Sequence, residues 1–364
     1  MSKVVLISQI PLPYSHIGSW TTLYHNYLRS DHSIDYIICE KPETLYNGID
    51  YGLVTNNNLL KVQKKFFKNP YLGYFKELEK IIEKNDKLII QIIDNFGIVK
   101  PLLDFLKTKN KKNQCYLQFF YHGFPPFYEN FLGRCFFEGI DEMVLLTNDS
   151  YKAHKDYYTV LPTKFSVLHN GIDTSKFHKV NIEEKVNIRK QLGIINKKVF
   201  IWCSQDRPKK GLDFILNVWK RINAIQNDAI LLVIGANRDV KIEGVSFLGR
   251  IPNNDLPKYY QMADCYLFPT LWHEGFGLSL IEALHCGCYC IASANGGVPE
   301  VLQYGKLGKL IENPNFIEDW MQAIESFLDA EETYKVSIPE NLYSTKSWNE
   351  GMNTIIENAK KNFS

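Results

Sequence analysis

The sequence has no segment of about 18 consecutive apolar residues, so no membrane-spanning helix is expected. Its first residues, MSKVVLISQIPLP, carry an apolar run too short to cross a bilayer. Proline and polar residues interrupt that run and no cleavage-site pattern follows, so we read a first strand rather than a signal peptide. An excess of charge of one sign is also missing: 42 Lys and Arg against 40 Asp and Glu leave a net charge of +2. A field that weak argues against a dedicated nucleic-acid binder. Cysteines are few, eight in 364 residues, scattered through apolar runs with no small-domain disulfide framework. That usage fits a reducing, cytoplasmic setting. There is no Asp-x-Asp, no short repeat, no low-complexity stretch, and no G-x-G-x-x-G after an apolar run. Without that glycine fingerprint a nicotinamide cofactor lacks its cradle, which makes a Rossmann dehydrogenase the weakest of the enzyme readings.

What the chain does have is alternation. KVVLISQI, IDYIICE, KLIIQIID, QCYLQFFYH, EMVLLTN and KFSVLHN read as strands, short and rich in β-branched and aromatic residues. Helical stretches fit between them at 19–30, 71–84, 98–109 and 150–158. The second half repeats the scheme, with strands KKVFIWCS, AILLVIG, VSFLG, CYLFPT and CYCIAS and helices at 211–226, 254–263, 277–286 and 316–329. Between the halves, residues 169–193 open on an Asn-Gly turn signal and become charged, as a domain connection does. Strand–helix alternation implies parallel strands with crossover helices, hence two doubly wound α/β domains in tandem. Ligands of such sheets bind beyond the carboxyl ends of the strands, so a cleft between the domains is the expected site.

The chemistry concentrates in HEGFGLSLIEALHCGCYCIAS, residues 273–293. Glu274 falls in the loop between a strand and a helix that begins near Leu278. Gly275 and Gly277 flank Phe276 at the helix entry, where unpaired N–H groups and absent side chains suit a phosphate or diphosphate. Glu282, eight residues on, can point back toward the same pocket. A carboxylate does not bind phosphate, but it accepts hydrogen bonds from the paired hydroxyls of a ribose or hexose. Two carboxylates bracketing an anion cradle suggest a nucleotide-sugar. Cys286, Cys288 and Cys290 form a C-x-C-x-C that lacks the usual zinc spacing and a fourth ligand, so they read as small core residues and no metal site is expected. His273 and His285 have no convincing partner in the sequence.

The string from Glu274 to Glu300 resembles the E-x7-E signature of retaining glycosyltransferases, specifically glycosyltransferase family 4. That resemblance implies the GT-B fold, two Rossmann-like doubly wound domains facing across a cleft. HNGID (169–173), PKKGLDFIL (208–216) and VSFLGRIPNNDLPKYYQMADCYLFPT (245–270) resemble further family segments in the expected order. The implied organisation is an acceptor-side domain over 1–175, a nucleotide-sugar domain over 176–342, and a helix over 343–364 that crosses back to the first domain. By the same resemblance, Lys210 contacts the diphosphate. The family's partner arginine falls where Gln205 stands, with Arg207 two residues on as its candidate substitute. Gly249, Arg250 and Ile251 match backbone that lies by the nucleotide base. Gly18 remains of the Gly-rich loop facing the donor phosphates, and Trp20 beside it is a candidate for acceptor space or for packing. His122 resembles the histidine near the transferred sugar.

The implied activity is transfer of a sugar from a nucleoside diphosphate sugar with retention, to a glycan or lipid-linked acceptor, as in cell-surface polysaccharide or lipopolysaccharide synthesis. In that scheme Glu274, His122, Lys210 and Arg207 are catalytic. Gly18, Gly249, Arg250, Ile251, Gly275, Phe276, Gly277, Leu278 and Glu282 bind the donor. No metal or other cofactor is expected, since a lysine and N–H groups can replace a divalent ion. The run 59–80 mixes lysines with aromatic residues and reads either as peripheral contact with an anionic membrane or as a solvated helix. Two other readings stand beside transfer: a nucleotide-sugar epimerase of the same fold and a non-catalytic nucleotide-sugar-binding scaffold.

Overall fold

The structure is a computed structural model that describes residues 2–14, 18–55, 69–126, 130–194, 196–225, 228–329 and 338–363. The chain divides into two compact units, one of residues 1–170 with 345–364, the other of residues 171–344.

The first unit runs β1 (Lys3–Ile7), α1 (Ser19–Tyr27), β2 (Tyr36–Glu40), β3 (Asp50–Val54), α2 (Leu72–Ile82), β4 (Leu88–Ile93), α3 (Phe96–Thr108), β5 (Cys115–Tyr121), α4 (Asn130–Gly139), β6 (Glu142–Leu145), α5 (Asn148–Tyr157) and β7 (Lys164–Val167). Its strands form one parallel sheet in the order β3-β2-β1-β4-β5-β6-β7, so the winding direction reverses between β1 and β4. Helices cover both faces, and β4 and β5 are therefore buried at every position. Across these strands runs a polar ladder. Gln91 Nε2 donates to Gln118 Oε1 at 3.0 Å, and Gln118 Nε2 donates to Glu142 Oε2 at 2.8 Å. Lys164 Nζ, 3.1 Å from Glu142 Oε1, balances that buried charge.

The second unit runs α6 (Ile182–Gln191), β8 (Lys198–Cys203), a 3-10 turn (Pro208–Lys210), α7 (Leu212–Ile225), β9 (Ala229–Ile234), β10 (Val245–Gly249), α8 (Leu256–Met262), β11 (Cys265–Phe268), α9 (Leu278–His285), β12 (Tyr289–Ser293), α10 (Val298–Val301), β13 (Lys309–Ile311) and α11 (Ile317–Leu328). The order β10-β9-β8-β11-β12-β13 again reverses once, between β8 and β11, and every pairing is parallel. Both units are thus Rossmann-like.

The last helix, α12 (Thr345–Asn362), packs in the first unit. Trp348, Met352, Ile355, Ile356 and Ala359 recur at helical spacing and are buried. The Trp348 ring meets Tyr24 and Tyr27 edge-on at 5.5 and 5.6 Å, and Tyr27 Oη donates to Asn353 Oδ1 at 2.5 Å.

Strands β3 and β13 and helices α4, α6 and α10 are elements the sequence pattern did not announce; α6 occupies much of the charged stretch 169–193 that reads as a domain connection. β3 is DYGLV, with an aspartate and a glycine among its five residues, and β13 has only three residues. Of the lysine-aromatic run 59–80, residues 59–68 lie outside the described residues. In the remainder, Tyr74 and Phe75 are buried in the core rather than displayed. Among the described residues no helix is long and apolar enough to cross a membrane.

Candidate active site

In the second unit the loops after β8 and β11 leave the sheet side by side, at the point where its winding reverses. Main-chain contacts lock them together. Leu271 N donates to Lys209 O at 2.9 Å. Gly211 has φ +71°, and a Cβ there would lie 1.8 Å from Pro269 O, so no other residue lets the loops approach this closely. Lys210, at the end of the 3-10 turn, is thereby aimed across the gap. Its Nζ lies 2.5 Å from Glu274 Oε2, with the two side chains 22% and 21% exposed.

The loop after β12 pins Glu274 from the other side. Gly297 N donates to Glu274 O at 2.8 Å, and Asn295 Nδ2 donates to Thr270 O at 3.0 Å. Gly296 has φ +69°, and a Cβ on it would stand 2.4 Å from Glu274 O. The glutamate is therefore presented by three strand ends at once. Gly277 (φ +86°) caps α9, and its carbonyl accepts from Leu280 N and Ile281 N at 3.0 and 3.3 Å. Of the first N–H groups of α9, those of Leu278 and Ser279 have no acceptor within the helix, the arrangement that at a helix start favours an anion. Phe276 is 2% exposed, its ring edge-on to Tyr343 at 5.3 Å, so its side chain is core. Leu278 is half-buried at the first turn.

Glu282 sits one turn further along α9. Burial pushes its carboxyl up to about 7; the Tyr260 hydroxyl and the Lys176 charge oppose that rise. The Tyr260 hydroxyl is itself fully buried. Beside them the Cys203 thiol is pushed up to about 12 by burial.

Gly249 ends β10 with φ +64° after a register shift, and its carbonyl accepts from Gly235 N at 2.7 Å. Exposed Arg250 and half-buried Ile251 follow it. Gln205 and Arg207 are both exposed, in the loop that ends on Lys210. The engaged guanidinium in this region is that of Arg238, which pairs with Asp206 at 2.6 Å and with Asp213.

Cys286, Cys288 and Cys290 are all buried, and burial holds the thiols of Cys286, Cys288 and Cys290 well above their ordinary range. Among the described residues no group of three or more His, Cys, Asp and Glu converges as a metal site would. His285 is likewise structural, its Nε2 2.8 Å from Leu342 O.

In the first unit His122 directly follows β5 and is gripped twice by Asp94, which follows β4. His122 N donates to Asp94 Oδ1 at 2.7 Å, and Nδ1 lies 3.0 Å from Asp94 Oδ2. Asp94 holds a left-handed φ of +51°, unusual for a residue with a side chain. Such a carboxylate places the imidazole proton on Nδ1 and leaves Nε2 as the acceptor. Gly18 caps α1 in extended conformation, and its carbonyl accepts from Thr22 N at 3.1 Å. Trp20 is half-buried, edge-on to Tyr24 at 5.9 Å. Residues 15–17 of that loop lie outside the described residues.

Asp94, Gly296 and Tyr260 are members of these constellations that the sequence reading did not single out. Asp94 had a signal, an acidic residue closing the strand run KLIIQIID. Gly296 had one too, inside the G-G-V-P-E segment. Tyr260 had none, because a tyrosine on an amphipathic helix reads as core.

Residues 184–341 match the family described as glycosyl transferases group 1. A GDP-mannose-dependent alpha-(1-6)-phosphatidylinositol monomannoside mannosyltransferase of Mycolicibacterium smegmatis is 27% identical over 159 residues, 39% of this chain and 41% of that protein. N-acetyl-alpha-D-glucosaminyl L-malate synthase of Bacillus anthracis is 30% identical over 197 residues, 51% of this chain and 48% of that protein. The chain spans about half the length of the curated relatives it matches. Among solved structures, Anabaena HepE in complex with UDP superposes with a TM-score of 0.74 over 98% of this chain and 100% of that one, at 14% identity. Sucrose-phosphate synthase from Thermosynechococcus elongatus gives 0.72 over 100% of both chains, also at 14% identity. The chain has the two-domain GT-B fold, and the glycosyl transferases group 1 match falls on its second unit.

Proposed function

We propose that this protein is a retaining glycosyltransferase that moves a sugar from a nucleoside diphosphate sugar to a glycan or lipid-linked acceptor, without a metal ion. The observation that carries the reading is the Lys210–Glu274 pair, set at the reversal point of the sheet and beside the open N-terminus of α9. In the reaction the bond between the anomeric carbon and the diphosphate oxygen breaks. A bond from the acceptor oxygen forms on the same face, and the acceptor proton leaves with the diphosphate. Lys210 and the N–H groups of α9 hold the departing negative charge, which is the work a divalent ion does elsewhere. Arg207, exposed two residues past Gln205, adds its charge at the rim. Glu274 holds the donor sugar, Glu282 the ribose hydroxyls, and the backbone at 249–251 the base. His122, oriented by Asp94, contacts the sugar through Nε2. Gly18, at the start of α1, lets the donor phosphates approach the backbone.

Thermal unfolding with UDP, GDP, ADP and their common sugar conjugates, in the presence of a chelator, tests the reading. A ligand at about 100 times its dissociation constant adds roughly 2.7 kcal/mol. Stabilisation by one nucleotide class, with sugar release in its presence, is the expected result. A folded chain that none of them stabilises sinks the proposal, and binding without turnover toward any acceptor points to the scaffold reading instead.

The raised carboxyl of Glu282 makes a second expectation. Protonated, Glu282 accepts one fewer hydroxyl, so nucleotide affinity should rise about tenfold between pH 6 and 8 as the group ionises. For folding the sign is opposite. A carboxyl raised from 4.5 to about 7 favours the protonated folded state. Its stabilising contribution is present below the ordinary carboxyl range and is lost as pH rises through about 7. Glu282→Gln should therefore bind nucleotide with no step near pH 7 and unfold at a higher temperature than the native chain at pH 8. An unchanged binding step in that variant would assign the titration to another group.

A further inference from the structure

The loop that delivers Glu274 also displays a tryptophan. Trp272 is 58% exposed, whereas Trp202, Trp219, Trp320 and Trp348 are all buried. Leu271 beside it is 36% exposed, and His273 stands edge-on to the indole at 5.8 Å. A ring of this size left in water forgoes a large burial gain, so its display asks for a reason. Disorder does not supply one, because the loop is fixed on both sides of the ring. Leu271 N donates to Lys209 O at 2.9 Å, Thr270 Oγ1 donates to Trp272 O at 3.1 Å, and Gly297 N holds Glu274 O at 2.8 Å. The indole thus rises from a fixed backbone, two residues from the carboxylate assigned to the donor sugar.

We propose that Trp272 is a specificity-determining residue that stacks against the ring of the acceptor sugar. The inference rests on the transfer reading of the same loop. An indole face is electron-rich and a pyranose face presents polarised C–H bonds, so the two attract as aromatic edges do, with little demand on which hydroxyls the sugar carries. The donor sugar is assigned to the recessed Lys210–Glu274 pair. The exposed ring next to it meets the ligand that arrives afterwards from solvent. Leu271 extends the apolar surface, and the imidazole of His273 supplies a polar edge for a hydroxyl.

Saturation-transfer NMR with methyl α-D-glucopyranoside, methyl α-D-mannopyranoside and methyl N-acetyl-α-D-glucosaminide tests this on the full chain, with and without the nucleotide-sugar that stabilises it. At least one glycoside should receive saturation from the native protein and retain it when the nucleotide-sugar is bound. Trp272→Ala should lower the signal about tenfold, as loss of roughly 1.4 kcal/mol of stacking requires, and Trp272→Phe should restore most of it. Iodide quenching of the exposed tryptophan should fall on adding the same glycoside. Equal signals from the native chain and Trp272→Ala, or no glycoside signal at all, overturn the proposal. Loss of the signal on adding nucleotide-sugar places the ring at the donor and overturns the acceptor assignment. Nucleotide stabilisation measured on the same samples tests the transfer reading separately: a chain that binds nucleotide-sugar but no glycoside has lost this proposal alone.

Discussion

Replacing Lys210 with methionine is expected to cut sugar transfer by about 10²–10³-fold, the usual cost of removing one preorganised donor from a developing negative charge. In the proposed reaction the diphosphate leaves carrying charge that the amine and the N–H groups of α9 must hold, and methionine keeps the length of the side chain without the cation. Unfolding should change little, because main-chain contacts hold this loop: Leu271 N to Lys209 O, and the close approach of Gly211 to Pro269. The pair with Glu274 is a fifth exposed on each side, so water reaches the carboxylate left behind, which limits the cost of losing its partner. Nucleotide release assayed at saturating donor, alongside a melting curve, separates the two effects. A variant with native turnover would remove Lys210 from the reaction, and the anion cradle would then stand on α9 alone.

Glu274→Gln should lower transfer by a similar factor and yet tighten the binding of free nucleoside diphosphate, about three- to tenfold, or up to roughly 1.4 kcal/mol. Lys210 is paired with Glu274 at 2.5 Å. An arriving diphosphate competes with that carboxylate for the amine. When the ligand carries a sugar, its hydroxyls give the displaced carboxylate new donors; free diphosphate leaves it without compensation. Glutamine removes the competitor and the charge together. The native chain should thus prefer the sugar conjugate over the free diphosphate by a wider margin than the variant does. Titration calorimetry with both ligands on both proteins reads that margin. Equal margins would show that the ion pair has no part in telling donor from product.

Most of the two sheets was legible in the sequence, because strands buried on both faces are written as continuous apolar runs such as LIIQII and AILLVI. β3 and β13 went unread because DYGLV carries an aspartate and a glycine among its five residues and KLI is only three residues long. The E-G-F-G string pointed to Glu274 and to the glycine cap of α9, since the requirement for positive φ at Gly277 leaves a mark in the residue type. Pairings across the sheet leave no such mark. Nothing local in YHGFPP announces that His122 is held by Asp94, 28 residues earlier. Nor does the spacing of Glu282 from Glu274 disclose the burial that moves its proton affinity. What sequence could not supply in each case was distance between residues far apart in the chain.

Helix α12 has a consequence for how the protein comes off the ribosome. The second unit, 171–344, is one uninterrupted segment, and its elements are all available once that segment has emerged. The first unit begins earlier but is finished later, because the face of Tyr24 and Tyr27 waits for Trp348 and Met352, translated after everything in the second unit. At about 5–20 residues per second, that leaves an apolar surface uncovered for roughly 9 to 35 seconds. A truncated chain ending at residue 344 and released from the ribosome should bind chaperone through its first half while its second half resists protease.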